Sequence, residues 1–212
     1  MIFPVKGGTA KRYPDGSIFQ GFGENPADYA QFGLQGHNGW DILKGLNAEC
    51  VSTADGIVWE ASNVQDSLKE SDTRYNGNVI RILTNPDSSG KQYLCPYGHL
   101  NKILVTPGQK VKAGETIGLM GNTGFVVSQG MPFWGNAPPG KGVHLHFGIY
   151  EVKLSEQTIN IMNSYNGFKG ALDPTPFFTD SIKADTPEIT LMQKLVELLR
   201  SFIRLKGQEP VA

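Results

Sequence analysis

Short apolar runs, cut off by glycine, proline, asparagine and aspartate, follow one another along most of this chain. Cys50-Val51 and Gly56-Ile57-Val58-Trp59 flank an Ala54-Asp55-Gly56 turn and read as two short strands. Residues 78–83 carry Val79, Ile80, Ile82 and Leu83, a β-branched content that favours a strand. Residues 85–90 form a polar turn, and 93–100 read as one further strand. Residues 103–105, Val111 and 116–120 are separated by the Pro107-Gly108 and Ala113-Gly114 turns. Residues 143–152 alternate and read as a last strand. No helical period lies between these runs, so the strands pair locally rather than through crossover helices. The expected fold is mainly β: an antiparallel sandwich or barrel-like core with an open groove.

Three regions differ in pattern. Residues 1–36 look irregular, with turn signals at Pro14-Asp15-Gly16 and at 21–26. Residues 125–141 are rich in glycine and proline and read as a loop. In residues 187–205, Ile189, Met192, Leu195, Val196, Leu199, Phe202 and Ile203 recur every three or four positions, which predicts an amphipathic C-terminal α-helix. Asp185 with Glu188, or Thr186 with Pro187, would cap its start. Its apolar face packs back on the domain, self-associates or docks on a larger assembly. The few basic residues weigh against a membrane surface. Asp173-Pro174-Thr175-Pro176 closes the β region, so residues 1–180 are expected as one domain and 181–212 as a linker and helix.

Composition narrows the function. With 26 glycines and 13 prolines among 212 residues, the chain is turn-rich but has no repeat or low-complexity tract. A net charge of -1 gives no field to draw nucleic acid or an anionic bilayer. No apolar run reaches the ~18 residues of a membrane span. The N-terminal stretch lacks the apolar segment of a secretory leader, so the expectation is a protein that stays where it is made until lysis or another route releases it. Cys50 and Cys95 could pair, but two thiols make no disulfide framework, and free thiols are expected.

The candidate chemistry lies in the four histidines. His144 and His146 form HLH in a predicted strand, whose period of two points both rings to one side. His37 and Asp41 sit in GHNGWDI, where Gly36 and Gly39 allow a tight turn. His99 lies in CPYGHL. Two histidines and an aspartate make a zinc set that keeps a position for water. His99 could be a fourth ligand, which would close the site, or a base. Imidazoles not used as ligands suit proton transfer near neutral pH. A metal-dependent hydrolase of peptides or amides follows.

GHNGWDI, YGHL and GVHLHFGIY, joined by VTPGQKVKAGETIGLMGNTG, resemble the lysostaphin-type endopeptidases (peptidase family M23), zinc enzymes that cut the peptides of peptidoglycan. The resemblance covers about residues 1–178. It implies one Zn2+ per chain held by His37, Asp41 and His146, with His99 and His144 as the catalytic pair. It also implies a zinc metalloendopeptidase acting on peptidoglycan cross-links or stem peptides at the cell wall, from a bacterium or a phage virion. Three departures stand out, the first being that the stretch of residues 60–75 is larger and more polar than a plain hairpin. Residues 124–142 are longer than the family's usual link and would wall the groove or pack over the core. Gly148 replaces the usual acidic residue after HLHF. The alternatives are a zinc amidase, a non-catalytic wall-binding domain that keeps the fold, and a cupin-type oxygenase, which lacks a histidine after His146 to complete its ligand set.

Overall fold

The computed structural model describes residues 1–63, 75–135, 137–156 and 158–178. The chain divides into a compact unit over Met1–Phe178 and a second over Thr179–Ala212. The helix predicted over 187–205 lies outside the described residues. The first unit is almost wholly β, as the sequence pattern requires. Its strands are β1 (Ile18–Gln20), β2 (Trp40–Ile42), β3 (Glu49–Val51), β4 (Gly56–Ser62), β5 (Val79–Thr84), β6 (Gln92–Gly98), β7 (Leu100–Ile103) and β8 (Lys110–Val111). There follow β9 (Thr116–Met120), β10 (Phe125–Ser128), β11 (Met131–Trp134), β12 (Leu145–Phe147), β13 (Ile149–Ser155), β14 (Thr158–Ile161) and β15 (Ala171–Leu172).

A ten-stranded sheet runs β1-β2-β12-β6-β5-β4-β8, with β13 on β6 and β14 and β15 on β13. All its strand pairs are antiparallel. A three-stranded sheet, β3-β9-β7, supplies a second layer. The core is shared between them: Ile80, Ile82, Cys95 and Tyr97 of the large sheet cluster with Cys50, Leu100, Ile117 and Met120 of the small one. Trp40, Ile42, Leu145 and Phe147 are fully or almost fully buried in the same cluster. Alternation then sends Asp41 and His146 to the opposite face of the large sheet. Burying each of those four apolar side chains stabilises the sheet by roughly 2–3 kcal/mol, so the direction of the two polar ones is strongly set.

Four sequence expectations need correction. The strand expected over 93–100 is broken at His99, where φ is +60°. The chain leaves the large sheet there and enters the small one, and the His99 N–H donates to the Asn76 carbonyl at 2.7 Å instead of continuing the ladder. The strand expected over 143–152 is divided at Gly148, between β12 and β13. Residues 125–141 are not simply a loop, because β10 and β11 form a hairpin. Its turn is Gln129-Gly130, both with positive φ (53° and 76°), the geometry that matches strand twist. Proline and methionine in β11 hide that strand from any propensity argument. Within the segment expected to be irregular, β1 and a one-turn helix α1 (Pro26–Tyr29) are formed, followed by a 3-10 turn (Ala30–Phe32).

Candidate metal centre

Asp41 and His146 are direct partners across the β2–β12 pair, and His146 is opposite Gly98 across β12–β6. His99 follows Gly98 and so arrives beside them. His144 precedes β12 and is tied to Gly121 by a single antiparallel bridge. His37 comes from the turn before β2. That turn needs glycine twice. Gly36 has φ +150° and packs against the Gly23 backbone, and a side chain on Gly39 would strike the Phe147 carbonyl and the His146 ring.

Three donor atoms converge. His37 Nε2 lies 3.0 Å from His146 Nδ1, and Asp41 Oδ1 is 3.2 Å from each. The His37 Nδ1–H donates to the Gly21 carbonyl at 3.2 Å, which leaves Nε2 with its lone pair. That lone pair faces a carboxylate oxygen. Two acceptors held this close inside a protein need a proton or a metal cation between them. Ligand atoms around a tetrahedral zinc, with bonds of about 2.0–2.1 Å, lie roughly 3.3 Å apart, close to this triangle. The donor set fits zinc in size and in chemistry, and it leaves a side open to the groove.

The other two imidazoles stand next to this triangle. The His99 and His144 rings are 4.4 Å apart between centroids, and the His144 Nε2 is 3.6 Å from Asp41 Oδ1. Each is oriented by a backbone carbonyl: His99 Nδ1–H donates to Thr123 at 2.7 Å, and His144 Nδ1–H to Gly142 at 2.9 Å. Each therefore presents Nε2 as its acceptor. All five residues expected from the sequence are thus within one constellation.

The electrostatics centre on one buried carboxylate ringed by imidazoles. Burial pushes the Asp41 carboxyl up, but the neighbouring imidazoles of His144, His37 and His146 outweigh it, and its pKa falls well below the usual range. Burial, reinforced by His144 and His146, drives the His99 pKa well below that of an ordinary imidazole, against the Thr123 hydrogen bond and Asp41. Burial also lowers His146, against its hydrogen bond to Asp41.

Sequence reasoning missed several supports. Tyr29 stands 5.2 Å from His37, ring to ring, and its hydroxyl pKa is raised by burial and then by Asp41. The carbonyls of Gly21, Thr123 and Gly142 leave no signal of residue type. Thr123 also bridges with its hydroxyl, donating to the Leu100 carbonyl and accepting from the Asn78 N–H, both at 3.0 Å. The site opens into a groove of about 1070 Å³, with Tyr29 and Phe32 on one side and Phe125 to Gly130 on another. The hairpin is therefore a groove wall.

Residues 35–161 match the profile described as "Peptidase family M23". The chain belongs to peptidase family M23. It is 33% identical over 128 residues to the peptidoglycan DD-endopeptidase ShyA of Vibrio cholerae, a match covering 60% of this chain and 23% of that protein. It is 36% identical over 117 residues to the murein hydrolase activator NlpD of Salmonella dublin, covering 55% of this chain and 26% of the relative. The chain thus spans about a quarter of the length of these relatives. The solved structure of lysostaphin from Staphylococcus simulans is similar with a TM-score of 0.52 and 22% identity, over 81% of this chain and 52% of that one, which shows a shared fold.

Proposed function

We propose that the chain is a zinc-dependent endopeptidase that hydrolyses peptide bonds in peptidoglycan cross-links or stem peptides. One observation carries this: three acceptor atoms within 3.2 Å of one another, beside two imidazoles whose Nε2 atoms are left as acceptors. His37, Asp41 and His146 would hold one Zn2+. The metal, when bound, supplies Lewis acidity that polarises a carbonyl and acidifies water. The chain's own residues do the rest. His99, kept neutral by burial, takes a proton from the attacking water at Nε2. His99 then returns that proton to the leaving amine, while His144, when it carries a proton at Nε2, hydrogen-bonds the developing oxyanion. The Gly21 carbonyl fixes the His37 tautomer, and a lost partner of this kind typically costs a metal site about 10–100-fold in affinity.

Residues 1–180 form the catalytic domain in this reading, and 181–212 an appended segment that docks or self-associates through 187–205. The substrate places its work at the cell wall, reached by export, virion carriage or lysis.

A second reading has one observation behind it: the Salmonella relative is named an activator of murein hydrolases. This chain would then bind the wall without cutting it. The experiment is to load the protein with zinc, incubate it with purified peptidoglycan and identify newly freed amines by mass spectrometry. Freed peptide amines support an endopeptidase. Separation of sugar from peptide indicates an amidase, and binding with no new amine indicates the non-catalytic reading.

A further inference from the structure

The groove face of the large sheet carries one charged pair outside the metal centre. On β5, Val79, Arg81 and Leu83 point away from the core residues Ile80 and Ile82. Arg81 lines the groove, and so do Glu60 and Ser62 of β4. Glu60 and Arg81 are direct partners in the β4–β5 ladder. The Arg81 Nη1 donates to Glu60 Oε2, and the other carboxylate oxygen accepts the Ser62 hydroxyl at 2.6 Å. Glu60 is thus occupied at both oxygens and aims Arg81 rather than absorbing it. A guanidinium has five donors in a fork, and this contact uses one arm. Its side chain is 35% exposed and lines the groove.

Cations are few around it. Among the described residues lining the groove, the acids are Asp28, Asp41 and Glu60, and the cations are Arg81 and Lys169. Lys169 sits in an exposed turn with φ +53°. Arg81 alone of the two rises from the sheet that carries the metal centre. Its position is set by register. Arg81 is opposite Pro96 on β6, two residues before Gly98, which is opposite His146 on β12. Strand spacing and rise then put the Arg81 and His146 Cα atoms about 12 Å apart. An extended peptide advances ~3.3 Å per residue, so that span is roughly three to four residues.

We propose that Arg81 is a carboxylate-binding subsite, and that the substrate is a peptide carrying a free carboxylate about three to four residues from the bond that is cut. The proposal rests on the hydrolase reading of the metal centre for its substrate, and on the groove geometry for its position. A stem peptide with free α- or side-chain carboxylates meets the requirement. An uncharged glycine bridge does not. Glu60 is a positioning residue that holds the guanidinium plane across the groove floor.

The test uses two substrates: a cross-linked stem-peptide dimer with its carboxylates free, and the same dimer with them converted to carboxamides. Binding of each to the metal-free full chain is measured by calorimetry, and cleavage of each by the zinc-loaded chain by amine release. The wild type should bind the carboxylate form about tenfold more tightly, the size expected for one charge-assisted contact. Arg81→Gln should remove that preference by weakening the carboxylate form alone, with KM rising and kcat held. Its unchanged handling of the carboxamide form reports that it is folded. Equal binding of both forms by the wild type, or an equal loss on both in Arg81→Gln, overturns the subsite. Preferential binding without any cleavage sinks the hydrolase reading and leaves the subsite standing. Cleavage of both forms at equal efficiency does the reverse.

Discussion

Asp41 and His146 face each other across β2 and β12, with Asp41 Oδ1 3.2 Å from His146 Nδ1. The contact joins residues 105 apart in the chain and is made by register. Trp40, Ile42, Leu145 and Phe147 anchor the opposite faces of the same two strands in the core. A slip of one residue in either strand would turn a candidate ligand side chain inward, at the cost of several buried apolar groups. The core therefore builds the site, and variants at its edge should read out in metal content.

Gly39→Ala is the sharpest such variant. Its new methyl group would meet the Phe147 carbonyl and approach the His146 Cε1 at 3.0 Å. We expect a loss of about 1–3 kcal/mol in stability by denaturant melts, the usual cost of overpacking, together with weaker zinc binding by competition with a chelating dye. Normal zinc affinity in this variant would contradict the placement of His146.

Zinc itself should stabilise the chain. The metal-free wild type should gain in Tm when zinc is added, because an ion that binds only the folded state shifts the equilibrium by mass action. Asp41→Ala should show no such gain. A scanning-fluorimetry titration checks both, and an equal gain in Asp41→Ala would place the metal elsewhere.

Thr123→Val tests the support beneath His99. The Leu100 carbonyl and the Asn78 N–H each lose a partner, at about 1–3 kcal/mol for buried groups. The Thr123 carbonyl that receives the His99 ring sits on the same residue, so turnover should fall along with stability.

Acid should destabilise the metal-free chain in two stages. His99 has a folded pKa depressed below its unfolded value of about 6.5, so the unfolded state binds more protons once pH drops below that value. Its contribution is complete above pH ~6.5 and is lost as pH falls towards the folded value. Asp41 is depressed as well, and its contribution is present above about pH 4 and is lost below. Melts of the metal-free protein should therefore weaken from about pH 6.5 downwards, and less steeply in His99→Asn. Asparagine tolerates the positive φ there, which keeps the backbone.

Cys50 and Cys95 are buried free thiols, both pushed up to about 12 by burial. A thiol-exchange reagent at pH 8 should leave them unmodified in the folded chain and modify both after denaturation. Fast labelling of the native protein would show that the core opens at this point.

Much of this was legible in the sequence, and the reason is local. Strand existence followed from β-branched runs such as Val79–Thr84, and the five candidate residues that the fold brings together from the GHNGWDI, YGHL and HLH contexts. What stayed hidden depends on long-range pairing. Nothing near His99 announces that the chain changes sheets there, since the acceptor of its N–H is Asn76, more than twenty residues earlier. The β10–β11 hairpin was concealed by Pro132 and Met131, residues of poor strand propensity that its Gln129-Gly130 turn overrides. Arg81 and Glu60 had no motif at all; only the ladder brings them together on the groove floor.

The most direct test is zinc content and amine release measured on the same preparations of wild type, His146→Ala and His99→Asn. The wild type should carry one zinc per chain and free new amines from peptidoglycan, His146→Ala should lose both, and His99→Asn should keep the metal and lose the cleavage. Zinc lost from His99→Asn along with activity would make that imidazole a ligand and contradict the open, three-residue site.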